Sequence, residues 1–237
     1  MYKVKRAIIM AAGEGRRMRP VTEQIPKPLV DVQGVRMIDS VIQALRENGI
    51  TEIYIVTGYL EEQFTELKET YAGVELIHNP YYHTYNNISS LYMAREYIPE
   101  SVILDGDQMI YNSCILNPYF ERSGYCAVWC EQLTKEWLMT LEHGIVTACS
   151  REGGSRGYQL YSVSFWNEAD GRRLSEHIRE EFEDKQNYEI YWDDVAMFCH
   201  SADYRLGIRE IKRQDIVEID SLEELIEIDA QYERYRM

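Results

Sequence analysis

No apolar run among the 237 residues approaches the length of a bilayer crossing, which argues against a transmembrane segment. The opening residues, Met1-Tyr2-Lys3-Val4-Lys5-Arg6, lead into a strand and not into a long apolar segment with a cleavage site. Membrane insertion is therefore not expected, and the chain reads as cytoplasmic. Positive charge is scarce as well, with 25 Lys and Arg against 40 Asp and Glu, a net charge of -15. General nucleic-acid binding rests on an extended basic surface and is disfavoured. Cysteine is sparse and odd in number, at five. Cys126 and Cys130 share a face of a strand-like run, but no second pair or suitably placed histidine completes a tetrahedral zinc site, so reduced core cysteines are expected. The five histidines, His78, His83, His143, His177 and His200, form no metal spacing and pair with no evident nucleophile. Repeats, flexible linkers and low-complexity tracts are absent too, so one catalytic unit spanning residues 1–237 is the economical expectation.

The positive charge that is present is concentrated. A short apolar strand, Ala7-Ile8-Ile9-Met10, runs into Ala11-Ala12-Gly13-Glu14-Gly15-Arg16-Arg17-Met18-Arg19-Pro20, and Pro26-Lys27-Pro28 follows. A Gly-rich turn at a strand's carboxyl end exposes backbone N–H groups and lets a polyphosphate approach, while Arg16, Arg17, Arg19 and Lys27 supply countercharge. The two commonest nucleotide motifs do not fit. The Lys-Ser/Thr ending of the ATPase loop is missing, and Met18 stands where a dinucleotide loop has its third glycine.

To about residue 110 strands and helices alternate: strands at Val4 to Met10, Ile53 to Thr57, Val74 to Ile77 and Val102 to Leu104, and helices at Met37 to Glu47, around Phe64 and Leu67, and at Ile88 to Tyr97. That pattern predicts an α/β fold with a doubly wound, mostly parallel, Rossmann-like sheet and ligands beyond the strands' carboxyl ends. After Asp105-Gly106-Asp107 the character changes. Short strands at Tyr125 to Cys130, Trp137 to Glu142, Ile145 to Ala148 and Tyr158 to Val163 predict a smaller mixed or antiparallel lobe, inserted in or packed beside the first half. Helices at Asp170 to Phe182 and from the capping box Ser221-Leu222-Glu223-Glu224 to about Tyr235 complete the chain. Residues 1–110 are expected to be mainly nucleotide-binding, and about 111–200 to supply the smaller lobe, which the resemblance described below would place on the acceptor side.

Asp105 and Asp107 cap a predicted buried strand at the end that carries the Gly-rich loop, and a second acidic pair is Asp193-Asp194. Separate carboxylates converging on phosphate oxygens are what octahedral Mg2+ requires.

The loop together with Pro26-Lys27-Pro28 resembles the signature of the nucleotidyltransferases that make nucleoside-diphosphate sugars and alcohols. Within that family, Tyr85-Asn86-Asn87-Ile88-Ser89-Ser90-Leu91-Tyr92, Ser162-Val163-Ser164-Phe165-Trp166, Tyr191-Trp192-Asp193-Asp194 and Val217-Glu218-Ile219-Asp220-Ser221 are similar to the CTP:phosphocholine cytidylyltransferase branch. The matches run from Arg6 to about Ile228. The resemblance implies that Arg17 and Lys27 bind the triphosphate of CTP together with the loop residues Ala11, Ala12, Gly13, Gly15 and Arg16, the last at a position commonly small and polar. It implies Mg2+ on Asp107 and Asp193, catalysis by Lys27, Arg17, Asp107 and Asp193, and cytosine selection near Ala11, Gly58 and Asn86. It also implies a phosphocholine head group between Trp137 and Tyr191 with Glu218 as an anionic partner, a role suited to a chain with 19 tyrosines and four tryptophans. The alternatives are another small phosphorylated amine such as 2-aminoethylphosphonate, and a non-catalytic nucleotide-binding regulatory protein. The presence of Arg17, Lys27, Asp107 and Asp193 together argues against the latter.

Overall fold

The computed structural model describes residues 1–236. Strands β1 (Arg6–Met10), β2 (Glu52–Thr57), β3 (Val74–His78) and β4 (Ser101–Asp105) are parallel and lie in the order β3-β2-β1-β4. Strand order reverses between β1 and β4, which opens a crevice at their carboxyl ends. Both faces of β1 are covered, which explains its unbroken apolar run: Ile9 packs into one core with Ile38, Val41 and Leu45 of α1 (Met37–Glu47), and Ile8 into another with Ile88 and Leu91 of α3 (Ile88–Met93). Between β2 and β3 lies the short α2 (Thr65–Thr70).

The second half continues the same sheet and does not form a separate one. Strands β5 (Gly124–Cys130), β6 (Leu138–Glu142), β7 (Ile145–Ser150), β8 (Gly157–Phe165) and β9 (Gly207–Glu210) follow. Strand β8 pairs antiparallel to β4 through Val163 to Phe165, to β5 along its length, and to β6 near its start. It thus carries the hairpin β6-β7 and joins the acceptor-side lobe to the parallel half.

Several expected helices change character partway. The segment expected from Ile88 to Tyr97 breaks at Ala94 into α3 and a 3-10 turn. Helix α4 (Glu168–Arg179) runs on into an i→i+5 turn, Glu180–Asp184, closed by the Lys185 N–H on the Glu180 carbonyl at 3.0 Å. A helix that the sequence pattern did not predict, the brief α5 (Trp192–Asp194), continues into a second such turn, Val195–Cys199, with His200 N–H on the Val195 carbonyl at 2.9 Å. Helix α6 (Leu222–Ile228) stops at Asp229, where an extended residue precedes a last 3-10 stretch.

A third core explains Met18. Fully buried, it packs with Val21, Val30 and Met37 against Leu222, Leu225 and Ile226 of α6, so the loop is anchored by a side chain where a dinucleotide loop has a glycine. All five cysteines are free, but only Cys126 and Cys130 are buried; Cys114 and Cys199 are exposed, which corrects the expectation of core positions for them. No helix among the described residues is long and apolar enough to cross a membrane.

Candidate active site

The Gly-rich loop leaves β1 at the crevice. The Ala11 N–H is spent on the Val56 carbonyl at 2.9 Å and the Ala12 carbonyl accepts the Tyr59 N–H, which ties the loop's start to β2 and the turn after it. Among the described residues, no backbone group takes an N–H from Ala12 to Arg17. Gly15 adopts φ 61°, and a Cβ there would stand 2.9 Å from the Lys27 Cβ; at Gly13 the same atom would meet nothing within 4 Å. One glycine therefore permits close packing of loop on lysine, and the other leaves room for a ligand. Loop residues Ala11, Gly13, Gly15, Arg16 and Arg17 line a cavity of about 280 Å³ together with Lys27, Asp107 and Asp220.

Charges alternate along this cavity. Arg17, whose side chain is 70% exposed, reaches Asp220 at 2.9 Å; Asp220 accepts from Lys27 at 2.8 Å; Lys27 also donates to Asp107 at 2.6 Å. Lys27 is only 7% exposed. Burial alone would lower its ammonium, but Asp107 and Asp220 override that and hold it above its ordinary value. For Asp220 likewise, Lys27 and Arg17 outweigh burial and keep the carboxyl low. Arg16 turns to Glu14, Nε to Oε2 at 2.8 Å, so its charge is partly met within the loop.

Behind this row lies a set of crowded carboxylates. Asp105, Asp107 and Glu218 offer oxygens within 4.8 Å of one another. Glu218 arrives because the strand Ile216–Glu218 pairs antiparallel with Gln108–Ile110. Burial pushes its carboxyl up to about 8, with Asp107 and Asp220 adding to the rise. Burial likewise raises Asp105, helped by Asp107, Glu218 and Asp193. Asp193 sits in α5 with its carboxyl pushed up to about 7 by burial; Asp194 adds to this and Tyr125 opposes it. Asp107 Oδ1 and Asp193 Oδ1 are both buried without a hydrogen-bond partner. Orphaned carboxylate oxygens beside like charges suit a hard divalent cation, so these residues fit Mg2+.

The structure therefore brings Arg17, Lys27 and Asp107 together, and sets Glu218 with the carboxylates. Asp193 reaches Asp105 electrostatically but lies outside the compact trio. Asp105 stands two residues before Asp107 in the sequence; Asp220 shows there only inside the Val217 to Ser221 motif, without a partner to suggest its role. Gly58 packs under Tyr82, where a Cβ would come within 2.6 Å of the ring. The Asn86 side chain donates to the Glu189 carbonyl at 2.9 Å and accepts from the Asn87 N–H, so it braces a loop; Asn87 in turn accepts the Trp192 N–H at the start of α5.

At the acceptor side, Trp137 and Tyr191 meet at right angles, with centroids 6.1 Å apart, and Trp137 meets Phe198 edge-on at 5.3 Å. Trp192 is different: it is buried in the core against Tyr125 and Trp166. Sequence spacing gave no sign that His177, His200 and Asp203 gather, yet they do. The two imidazoles stack at 3.7 Å with planes 13° apart, so their ring lone pairs run side by side and do not converge.

The nucleotidyl transferase family model matches residues 6–118. Among relatives, a 2-aminoethylphosphonate cytidylyltransferase of Lancefieldella rimae is 36% identical over 228 residues, 95% of this chain and 92% of the relative. A choline-phosphate cytidylyltransferase of Streptococcus pneumoniae is 34% identical over 219 residues, 92% of this chain and 94% of the relative. The solved structure of CTP:phosphocholine cytidylyltransferase from Streptococcus pneumoniae superposes with a TM-score of 0.88 at 33% identity, covering 99% of this chain and 100% of that one. An inositol-1-phosphate CTP transferase from T. maritima, at 17% identity and TM-score 0.78, shares the fold. Loop, crevice and likeness over nearly the full length agree, and the chain belongs to the nucleotidyl transferase family.

Proposed function

We propose that this CTP-dependent nucleotidyltransferase transfers the cytidylyl group of CTP to phosphocholine, giving CDP-choline and pyrophosphate. The observation that carries the acceptor is the right-angled pair Trp137 and Tyr191 beside a carboxylate that is already spent. Asp194 Oδ2 accepts the Tyr191 N–H at 2.8 Å and Oδ1 accepts from Arg151 Nε at 2.8 Å. A quaternary ammonium needs aromatic faces and no hydrogen-bond acceptor, whereas a primary ammonium needs acceptors.

In the reaction a phosphate oxygen of the acceptor forms a bond to the α-phosphorus, the bond to the bridging α–β oxygen breaks, and its electron pair leaves with pyrophosphate. Lys27 offsets the charge growing on the transferring group, and Arg17 with the loop N–H groups holds the departing phosphates. Loading the nucleotide exchanges Asp220 for phosphate on these two cations. Asp107 and Asp193 would hold Mg2+, with Asp105 and Glu218 beside them. When bound, that ion supplies the positive charge that lets two phosphate anions approach. No protein nucleophile is needed, nor a general base, because a phosphomonoester is largely deprotonated near neutral pH. Residues 1–237 act as one transferase domain, with residues 1–110 on the nucleotide and about 111–200 on the acceptor.

The test offers CTP with, separately, phosphocholine, phosphoethanolamine, 2-aminoethylphosphonate and a sugar 1-phosphate, and follows pyrophosphate release. Phosphocholine is expected to give the highest kcat/KM. A higher value for 2-aminoethylphosphonate would replace the acceptor and keep the cytidylyl transfer.

A further inference from the structure

A cation already sits at the aromatic wall. Arg151 follows directly on β7, at the turn that contains Gly153 with φ 73°. Its guanidinium carbon lies 3.9 Å from the Phe198 ring centroid and 5.8 Å from that of Trp137. Both Nε and Nη2 donate to Asp194 Oδ1. The arginine side chain is 49% exposed, but that of Asp194 is only 4% exposed, and its other oxygen caps α5. Asp194, which carries the Tyr191 N–H on one oxygen and Arg151 on the other, is thus engaged on both oxygens and almost wholly buried, and the guanidinium lies over Phe198.

We infer that Arg151 is a specificity-determining residue, which disfavours primary ammonium acceptors by occupying the Asp194 carboxylate beside the aromatic wall. The inference rests on reading Trp137 and Tyr191 as the acceptor's wall. A trimethylammonium group donates no conventional hydrogen bond, so it gains little by displacing a guanidinium that makes two charge-assisted bonds to Oδ1; it packs on the faces left open. A primary ammonium competes with the guanidinium for that same oxygen, and unless it wins it leaves donors unmet. The arginine and a quaternary head can therefore share the wall, while the arginine and a primary ammonium cannot share the carboxylate.

The experiment compares the intact protein with Arg151→Ala and Arg151→Lys at saturating CTP, measuring kcat and KM for phosphocholine and for 2-aminoethylphosphonate. Freeing Oδ1 should lower the phosphocholine to 2-aminoethylphosphonate ratio of kcat/KM by about tenfold or more, chiefly through a lower KM for the amine. The lysine variant, which keeps the charge but loses the planar stack, should fall between. Adding Asp194→Asn to Arg151→Ala should cancel the gain. A ratio that does not move, with kcat falling equally for both acceptors, would make Arg151 a brace for α5 and overturn the inference. A ratio that rises would show the arginine competing with the quaternary head, and would overturn it too. If the unaltered protein already prefers 2-aminoethylphosphonate, the phosphocholine reading fails on its own, and the direction of the shift still decides the role of Arg151.

Discussion

At the Gly-rich loop, Arg17, Asp220, Lys27 and Asp107 alternate in sign along a row of ion pairs, whereas at the acceptor wall one guanidinium and one carboxylate stand among Trp137, Tyr191 and Phe198. The first region hangs on parallel strands whose register is fixed by full ladders on both sides of β1. The second hangs on a hairpin, a three-residue helix and an i→i+5 turn. On the proposed function, phosphate handling, common to any nucleotide, falls to the regular part of the fold. Acceptor choice, on the same proposal, falls to the irregular part, where a change in one side chain alters the wall without disturbing the sheet.

The sharpest way to break this division is at the carboxylates. Asp107→Ala and Asp193→Asn are each expected to cut pyrophosphate release with every acceptor by about a hundredfold or more. Asp193→Asn should do so without lowering the melting temperature, because it removes a buried like charge. Full activity in either variant would take that side chain out of the site. Lys27→Ala should come next, lowering kcat by about tenfold more than it weakens equilibrium binding of CTP, if its contact strengthens in the transition state. Equal losses would leave it a binding residue only.

At the other region, Trp137→Ala should raise KM for phosphocholine by about tenfold and leave KM for CTP alone, the split that separates the two ends. The smallest effect concerns how the wall is held. Glu181 is buried in the turn after α4 and accepts from Lys185 at 2.7 Å, Asn187 at 3.0 Å and His200, the residue after Cys199, at 2.8 Å. Burial would raise its carboxyl, but these bonds prevail and hold it below the ordinary 4.5. Its stabilisation is therefore present above that value and lost as pH falls through the lower folded one. Glu181→Gln should cost about 1–2 kcal/mol near neutral pH, and the gap should narrow in thermal melts taken towards pH 3.

The parallel half was legible because its signals are local: the stripe Ile38, Val41, Ile42 and Leu45, the stop at Asn48-Gly49, and an apolar run ending at a Gly-rich turn. Helix α1 runs over the residues its periodicity predicts. The loop's lysine and arginine were readable for the same reason. The ion pairs of Asp220 and Arg151 were not, since each finds its partner far along the chain, and no spacing rule reaches that far. The i→i+5 turns were also missed, because the extra residue shifts the helical stripe and leaves no period to detect. The joining of both halves through β8 was invisible for a third reason: the run Tyr158 to Val163 marks a strand but does not say which neighbour it takes.

Lys27 and Asp220 are 193 residues apart in the chain. During synthesis the lysine emerges early, next to the four parallel strands, all of which lie in the first hundred or so residues, while its second carboxylate arrives only after the whole acceptor lobe has been made. Closing so long a loop is entropically slow. A nascent chain that has folded β1 to β4 thus presents a basic loop facing solvent, with Glu14 on Arg16 and Asp107 on Lys27 as its counterweights, and it becomes a closed cavity when the strand Ile216–Glu218 and α6 dock on Met18 and Met109. Acquisition of the nucleotide site should therefore be a late event in the birth of the molecule, even though its signature is among the first things written.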